Sequence, residues 1–205
     1  EELYRIIVET LDVDDTKLNQ TFKGNALAEY LESAFYVCPV CYSFHTLHSE
    51  GNFLYCDNCK MSAEYTENLT FKTNDTRFTM HSTRDLATFQ DDFIRSFDVE
   101  NLSYVDDDIT IYQTRKGKKR IPLFQGKLIL DKEYLSIKNA TKELKFALDE
   151  IISLAILYHN TIIINLNDKK YHLTGNARFN ALKYLHLFTL LKNRKQGVTN
   201  EFLGI

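Results

Sequence analysis

Val37-Cys38-Pro39-Val40-Cys41-Tyr42 and, fourteen residues beyond Cys41, Cys56-Asp57-Asn58-Cys59-Lys60 hold all four cysteines of the chain. A C-x2-C pair puts two thiolates on one tight turn, and two such turns complete a tetrahedron around Zn2+. The spacer is a little shorter than the usual window of about fifteen to twenty residues, yet long enough for a hairpin. Two disulfides, a redox C-x-x-C and an iron site are the alternatives. Signs of secretion are absent, which argues against disulfides. A thioredoxin-like C-x-x-C would open a helix after a strand. Phe35-Tyr36-Val37 suits the strand, but no amphipathic helix follows Cys41. The reading taken is structural Zn2+ on Cys38, Cys41, Cys56 and Cys59. His45 and His48 lie in the spacer, but four cysteines already close the site, so both read as hairpin surface. A closed site has no open position for water and therefore holds the fold rather than performing chemistry. The commonest knuckle has Gly after the second Cys of each pair; Tyr42 and Lys60 stand there instead.

Working outward, Phe53-Leu54-Tyr55 reads as a ribbon strand with Ser62-Ala63-Glu64-Tyr65-Thr66 as its partner. Upstream, Leu3, Ile6 and Ile7 share one face of a helix over residues 2–11. Asn25 can cap a second helix from Ala26 to Phe35. Downstream, Leu86, Phe89, Phe93, Ile94 and Phe97 follow helical spacing over residues 83–97, with Ser82 or Thr83 as N-cap.

From about residue 102 the pattern changes to short strands. Ile109 to Tyr112, Ile121 to Phe124, Lys127 to Leu130, Tyr134 to Ile137, Glu143 to Leu148, Ile151 to Leu157, Thr161 to Leu166 and Lys170 to Thr174 are separated by polar turns. An apolar helical face then runs from Asn176 to Lys192. These eight runs, about seven strands, and one C-terminal helix give the element order of a pleckstrin-homology-like (PH-like) antiparallel β barrel; a generic α+β sandwich is the alternative. The fold class expected is therefore α+β, a zinc ribbon followed by a PH-like barrel with a C-terminal helix.

The chain of 205 residues has a formal net charge of −3 and 26% charged residues. That balance suits a globular chain and makes nucleic acid an improbable partner for it as a whole. No apolar run approaches the roughly 18 residues of a membrane span, and no signal peptide opens the chain, so a cytoplasmic location is expected. There is no G-x-S-x-G, Walker-type loop or G-x-G-x-x-G, and no catalytic residue is assigned. His159, His172 and His186 are scattered among apolar residues and read as core or surface imidazoles. Arg115, Lys116, Lys118, Lys119 and Arg120 crowd what reads as the first hairpin turn of the barrel. A solvated tip that offsets Asp106-Asp107-Asp108 is the plain reading. The functional one is contact with an anionic membrane surface, at about 1 kcal/mol per basic residue, which would draw the chain to the inner face of the cell membrane.

Three stretches carry a resemblance. Leu3-Tyr4-Arg5-Ile6-Ile7-Val8-Glu9-Thr10-Leu11-Asp12-Val13-Asp14, then Gly24-Asn25-Ala26-Leu27-Ala28-Glu29-Tyr30-Leu31-Glu32, then Tyr36-Val37-Cys38-Pro39-Val40-Cys41 are similar to a junction in bacterial 1-acylglycerol-3-phosphate acyltransferases. There a catalytic domain ends and a C-terminal extension begins. Thr46-Leu47-His48-Ser49-Glu50-Gly51-Asn52-Phe53-Leu54-Tyr55-Cys56 resembles the zinc-ribbon part of that extension. The likeness covers about residues 1–100. It implies a parent enzyme that moves an acyl chain from acyl-CoA or acyl-carrier protein to a lysophospholipid, with an upstream acyltransferase domain as partner. The family's H-x4-D and its glycine-containing phosphate motif are not in this sequence. The nearest candidate, His81-Ser82-Thr83-Arg84-Asp85, is one residue short and sits where a helix should start. On this view residues 1–36 are a helical stub, 37–75 the zinc ribbon, 76–105 a linker helix and 106–205 the PH-like module. The chain begins Glu1-Glu2-Leu3 without methionine, which suits a fragment.

Overall fold

The computed structural model describes residues 2–11, 15–17, 20–99, 102–114 and 119–197. It is an α+β chain with two antiparallel sheets and a C-terminal helix. By contact, residues up to 31 group with 37–90 in one compact unit, and 32–36 group with the rest, from 91 onward, in a second.

The first unit opens with α1 (Glu2–Leu11), whose Leu3, Tyr4, Ile6, Ile7 and Leu11 are exposed. Its sheet is a meander of β1 (Leu47–Glu50), β2 (Phe53–Cys56), β3 (Ser62–Tyr65) and β4 (Phe71–Lys72). Burial alternates along the strands as a one-sided sheet requires. Leu47 and Ser49, Leu54 and Cys56, and Ala63 and Tyr65 face inward. The rings of Tyr65, Phe71 and Phe78 meet in sequence, tilted at 5.0 Å and then edge-on at 5.5 Å.

The helix expected over 26–35 does not form. A turn over 27–30 and a single 3-10 turn, Leu31–Ser33, take its place. The Leu27 N–H donates to Asn52 Oδ1 at 2.8 Å and the Ala28 N–H to the Gly51 carbonyl at 3.0 Å. A helix would leave both of these first-turn donors free, so they tie the segment to the β1–β2 hairpin tip without breaking it; the break is at Tyr30, which turns left-handed at φ 67°. Gly51 itself takes φ 59°, which a residue with a side chain rarely adopts.

Helix α2 (Thr83–Ser96) has Leu86, Gln90 and Ile94 buried. Its start is a capping box: the Asp85 N–H donates to Ser82 Oγ at 3.3 Å, and Asp85 Oδ2 accepts the N–H groups of Ser82 and His81 at 2.9 and 2.7 Å.

The second unit holds seven strands: β5 (Ser103–Thr114), β6 (Ile121–Asp131), β7 (Tyr134–Lys138), β8 (Glu143–Ala147), β9 (Ser153–Leu157), β10 (Thr161–Asn165) and β11 (Lys170–Thr174). They line up as β8-β7-β6-β5-β11-β10-β9, with the first strand in the middle. The two runs expected on either side of Gln125-Gly126 are one strand, β6. Glycine permits this, because a Cβ at Gly126 would lie 2.3 Å from the Lys138 carbonyl oxygen.

The sheet is not closed into the expected barrel. Its end strands β8 and β9 do not pair with each other. The link between them, residues 148–152, buries Leu148 and Ile151. Its N–H groups go to separate halves of the sheet: Leu148 donates to the Glu133 carbonyl and Ile152 to that of Asn165. Helix α3 (Leu182–Lys195) packs against β9. It starts later than the pattern over 176–192 suggests, because Asn176 and Asn180 first close turns onto the N–H groups of Arg178 and Lys183.

A buried polar cluster joins α3 to β5. Lys183 Nζ lies 2.6 Å from Asp106 Oδ2, and the Tyr184 hydroxyl donates to the same oxygen at 2.6 Å. Lys183 Nζ also sits 4.5 Å from the centre of the Tyr104 ring. Burial pulls the Lys183 ammonium down to about 8 against the opposing pull of Asp106. Nearby, His186 Nδ1 meets the Tyr36 hydroxyl at 2.7 Å, and burial holds the imidazole down to about 4. Breaking a buried ion pair from one side costs more than replacing both members. Asp106→Ala should therefore destabilise this unit by about 3–5 kcal/mol in urea unfolding. The double variant Asp106→Leu with Lys183→Met should recover most of that loss.

Candidate metal centre

Two turns of the same build carry the four cysteines. In the first, the Tyr42 N–H donates to the Cys38 carbonyl at 2.9 Å and the Cys38 N–H to the Ser43 carbonyl at 3.0 Å. In the second, the Lys60 N–H donates to the Cys56 carbonyl at 2.9 Å and the Cys56 N–H to the Met61 carbonyl at 2.9 Å. The repeated ladder gives the two Cys-x-x-Cys turns matching geometry.

Both turns require a left-handed residue after the second cysteine, and Tyr42 and Lys60 supply it at φ 59° and 61°. Glycine would take this conformation freely, whereas other L-residues are held there at roughly 1–2 kcal/mol each. The Gly-less knuckle noted in the sequence thus keeps the standard turn under local strain.

The four Sγ atoms lie within 4.8 Å of one another. Cys38 Sγ is 3.8 Å from Cys59 Sγ, and Cys41 Sγ is 3.7 Å from Cys56 Sγ. A disulfide would hold its sulfurs at about 2.05 Å, and all four cysteines are free. A tetrahedron with metal–sulfur bonds of about 2.3 Å has edges of about 3.8 Å. The donor set and spacing therefore fit a single four-coordinate ion.

Surrounding groups shape the sulfurs. Cys38 and Cys56 are buried, Cys41 and Cys59 half-buried. Burial pushes the Cys38 and Cys59 thiols up. Burial also raises Cys41, but hydrogen bonds from Ser43 and Asn58 outweigh it and bring that thiol to about 6. Asn58 Nδ2 donates to Ser43 Oγ at 2.7 Å and reaches Cys41 Sγ at 3.5 Å, while Thr46 Oγ1 lies 3.2 Å from Cys56 Sγ. Arg77 adds a positive charge beside the anionic centre. It is clamped by Asp75 at 2.8 and 2.6 Å and donates to the Cys59 carbonyl at 3.4 Å. Ser43, Thr46, Asn58 and Arg77 carry no spacing signal in the sequence; only the folded turns bring them to the sulfurs.

The other sequence candidates lie elsewhere. Neither spacer histidine belongs to the sulfur cluster. His48 stands in β1, stacked on Tyr55 at 5.0 Å, with Nδ1 3.4 Å from Asp57 Oδ1. The His81/Asp85 pair is no dyad, because Asp85 is engaged in capping α2. Lys119 and Arg120 are exposed just before β6, whereas Arg115, Lys116 and Lys118 lie outside the described residues. No helix among the described residues is long and apolar enough to cross a membrane. No protein-family model matches the chain, and no curated protein matches it.

The strained knuckles can be tested directly. Lys60→Gly should tighten metal binding severalfold, tested with Zn2+ in competition with a chromogenic chelator, the relief at φ 61° exceeding the roughly 0.5–1 kcal/mol that glycine loses on ordering. Tyr42→Gly should gain less, because it also removes a ring contact with Phe89 at 5.7 Å.

Proposed function

We propose that this chain is a non-catalytic accessory region, a structural zinc ribbon followed by a PH-like module, that serves a phospholipid or glycerol acyltransferase acylating lysophospholipid from acyl-CoA or acyl-carrier protein. The closed set of four cysteines carries the non-catalytic part of this reading. Four protein sulfurs leave no coordination position for water or substrate, and thiolates in a tetrahedral C-x2-C pair of turns favour zinc. When bound, the ion supplies folding energy rather than Lewis-acid chemistry. The ligands must be deprotonated, so affinity falls as pH drops.

The strand order supports the PH-like assignment. A four-strand meander, β5 to β8, and a three-strand meander, β9 to β11, meet where β11 pairs with β5, and a helix follows the last strand. The acyltransferase partner rests on the resemblance of residues 1–100. The coding sequence upstream of Glu1 tests it: an in-frame domain with H-x4-D is the expected finding, and a start codon immediately before Glu1 would overturn it.

Exposed Lys119 and Arg120, next in sequence to Arg115, Lys116 and Lys118, support a role for the β module at an anionic membrane surface. The chain should co-sediment with phosphatidylserine vesicles and not with phosphatidylcholine vesicles. Changing Lys116, Lys118 and Lys119 to Glu should reduce the bound fraction at least fivefold; equal binding by wild type and variant would remove the membrane role.

A further inference from the structure

Strand β9 ends the seven-stranded sheet, and no strand of the described residues lies along its outer edge. Natural sheets guard such an edge with charge, proline, a bulge or a cover, because its free N–H and C=O groups are a template for another strand. The opposite edge is guarded: β8 carries Glu143 and Lys145. Strand β9 is Ser153-Leu154-Ala155-Ile156-Leu157, without charge or proline. It pairs with β10 in unbroken register, from Ser153 opposite Asn165 to Leu157 opposite Thr161. Lys192 Nζ donates to the Ile151 carbonyl at 2.5 Å, so α3 pins the approach to the strand.

Two large apolar side chains bracket this edge. Ile152 is 60% exposed and Tyr158 80% exposed. Tyr158 moreover holds φ 57°, a conformation that glycine would adopt without penalty. Their spacing is symmetric, each being three positions from Ala155. Antiparallel pairing of the strand with a second copy, about a two-fold axis at Ala155, sets position 152 opposite 158, 153 opposite 157 and 154 opposite 156. Each exposed Ile152, at the bend before the strand, then lies next to the other copy's exposed Tyr158, at the turn after it, and the contact occurs twice. The acidic residue nearest the strand, Glu150, falls toward Asn160 in that register rather than toward another acid. Neutral, self-complementary and apolar at both ends, the edge matches its own copy without any adjustment of register.

We propose that β9 is a homodimerisation edge at which two copies of this chain pair antiparallel about Ala155, joining their seven-stranded sheets into one. The proposal is independent of the metal centre and of any enzyme partner. The β9 ladder supplies direction, and the Ile152–Tyr158 contacts supply the apolar surface that fixes register.

Sedimentation equilibrium of the zinc-loaded chain, from low micromolar to several hundred micromolar, tests this. The mass should rise toward twice the 24.0 kDa of one chain. Ile152→Lys and Tyr158→Lys should each weaken the dimer at least tenfold with an unchanged circular dichroism spectrum. Ile121→Lys, exposed on β6, should leave it intact. Ser153→Lys, at an exposed position in the strand itself, provides a guard variant if either of the first two fails to fold. Amide exchange over Ser153–Leu157 should slow as concentration rises. A chain that stays monomeric throughout would overturn the proposal, as would a dimer that all the folded β9 variants leave intact. Protection of these amides only by an added extended peptide would also overturn it, in favour of a different partner strand.

Discussion

Four sulfur atoms gathered within 4.8 Å are the constraint on which the first unit depends. Without an ion, bringing them together is unfavourable, since ionised thiolates repel and neutral thiols satisfy one another poorly. With one, the same gathering closes two turns at once. The sheet beneath is small: three strands of four residues and one of two. Sheets of this size are marginal in water unless something else holds them. Structural zinc contributes on the order of 10 kcal/mol of folding energy in comparable small sites, several times the combined strain of two left-handed non-glycine residues. Tyr42 and Lys60 can hold their conformations because each directly follows a cysteine of the cluster and donates its N–H back across the turn, to the Cys38 and Cys56 carbonyls, which over-determines them.

The second unit solves its folding differently. Its central strand, β5, is twelve residues long and pairs on both sides, with β6 and β11. Both meanders are thereby tied to one strand, and α3 covers the sheet with a run of buried residues that includes Tyr184, Leu187 and Leu191. The same helix carries Lys183 inward to Asp106, next to an irregularity of β5 between Asp106 and Ile109. The bulge and the ion pair coincide: where the ladder is interrupted, a side chain rather than the backbone ties strand to helix. Polar groups buried at such a place favour one register over its neighbours, because a slip would strand a charge in the core.

Much of this was legible in the residues, and the failures have physical causes. The cysteine spacing pointed to a clustered site because ligand geometry constrains spacing tightly. The helix at 83–96 was legible from its apolar face and from Ser82 at its cap. The helix expected at 26–35 is broken at the left-handed Tyr30 in a segment tied to a hairpin tip more than twenty residues away, and local periodicity carries no trace of that. Strands β1 and β4 escaped notice because Leu47-His48-Ser49-Glu50 and Phe71-Lys72 are too short or too polar to stand out. The barrel expectation had the strands and the helix but not the closure, which depends on where the backbone of residues 148–152 sends its hydrogen bonds. At the metal centre the ligands were readable, whereas Ser43, Asn58 and Arg77 belong to the site only through the fold.

The central claim is that the metal, not the apolar core, holds the ribbon together. Hydrogen exchange of the whole chain before and after stripping the metal with a strong chelator tests it most directly. Amides of β1 to β4 and both cysteine turns should lose protection together on metal removal and regain it on adding one equivalent of Zn2+, while β5 to β11 stay protected. Ribbon amides that remain protected in the fully metal-free chain would contradict the account.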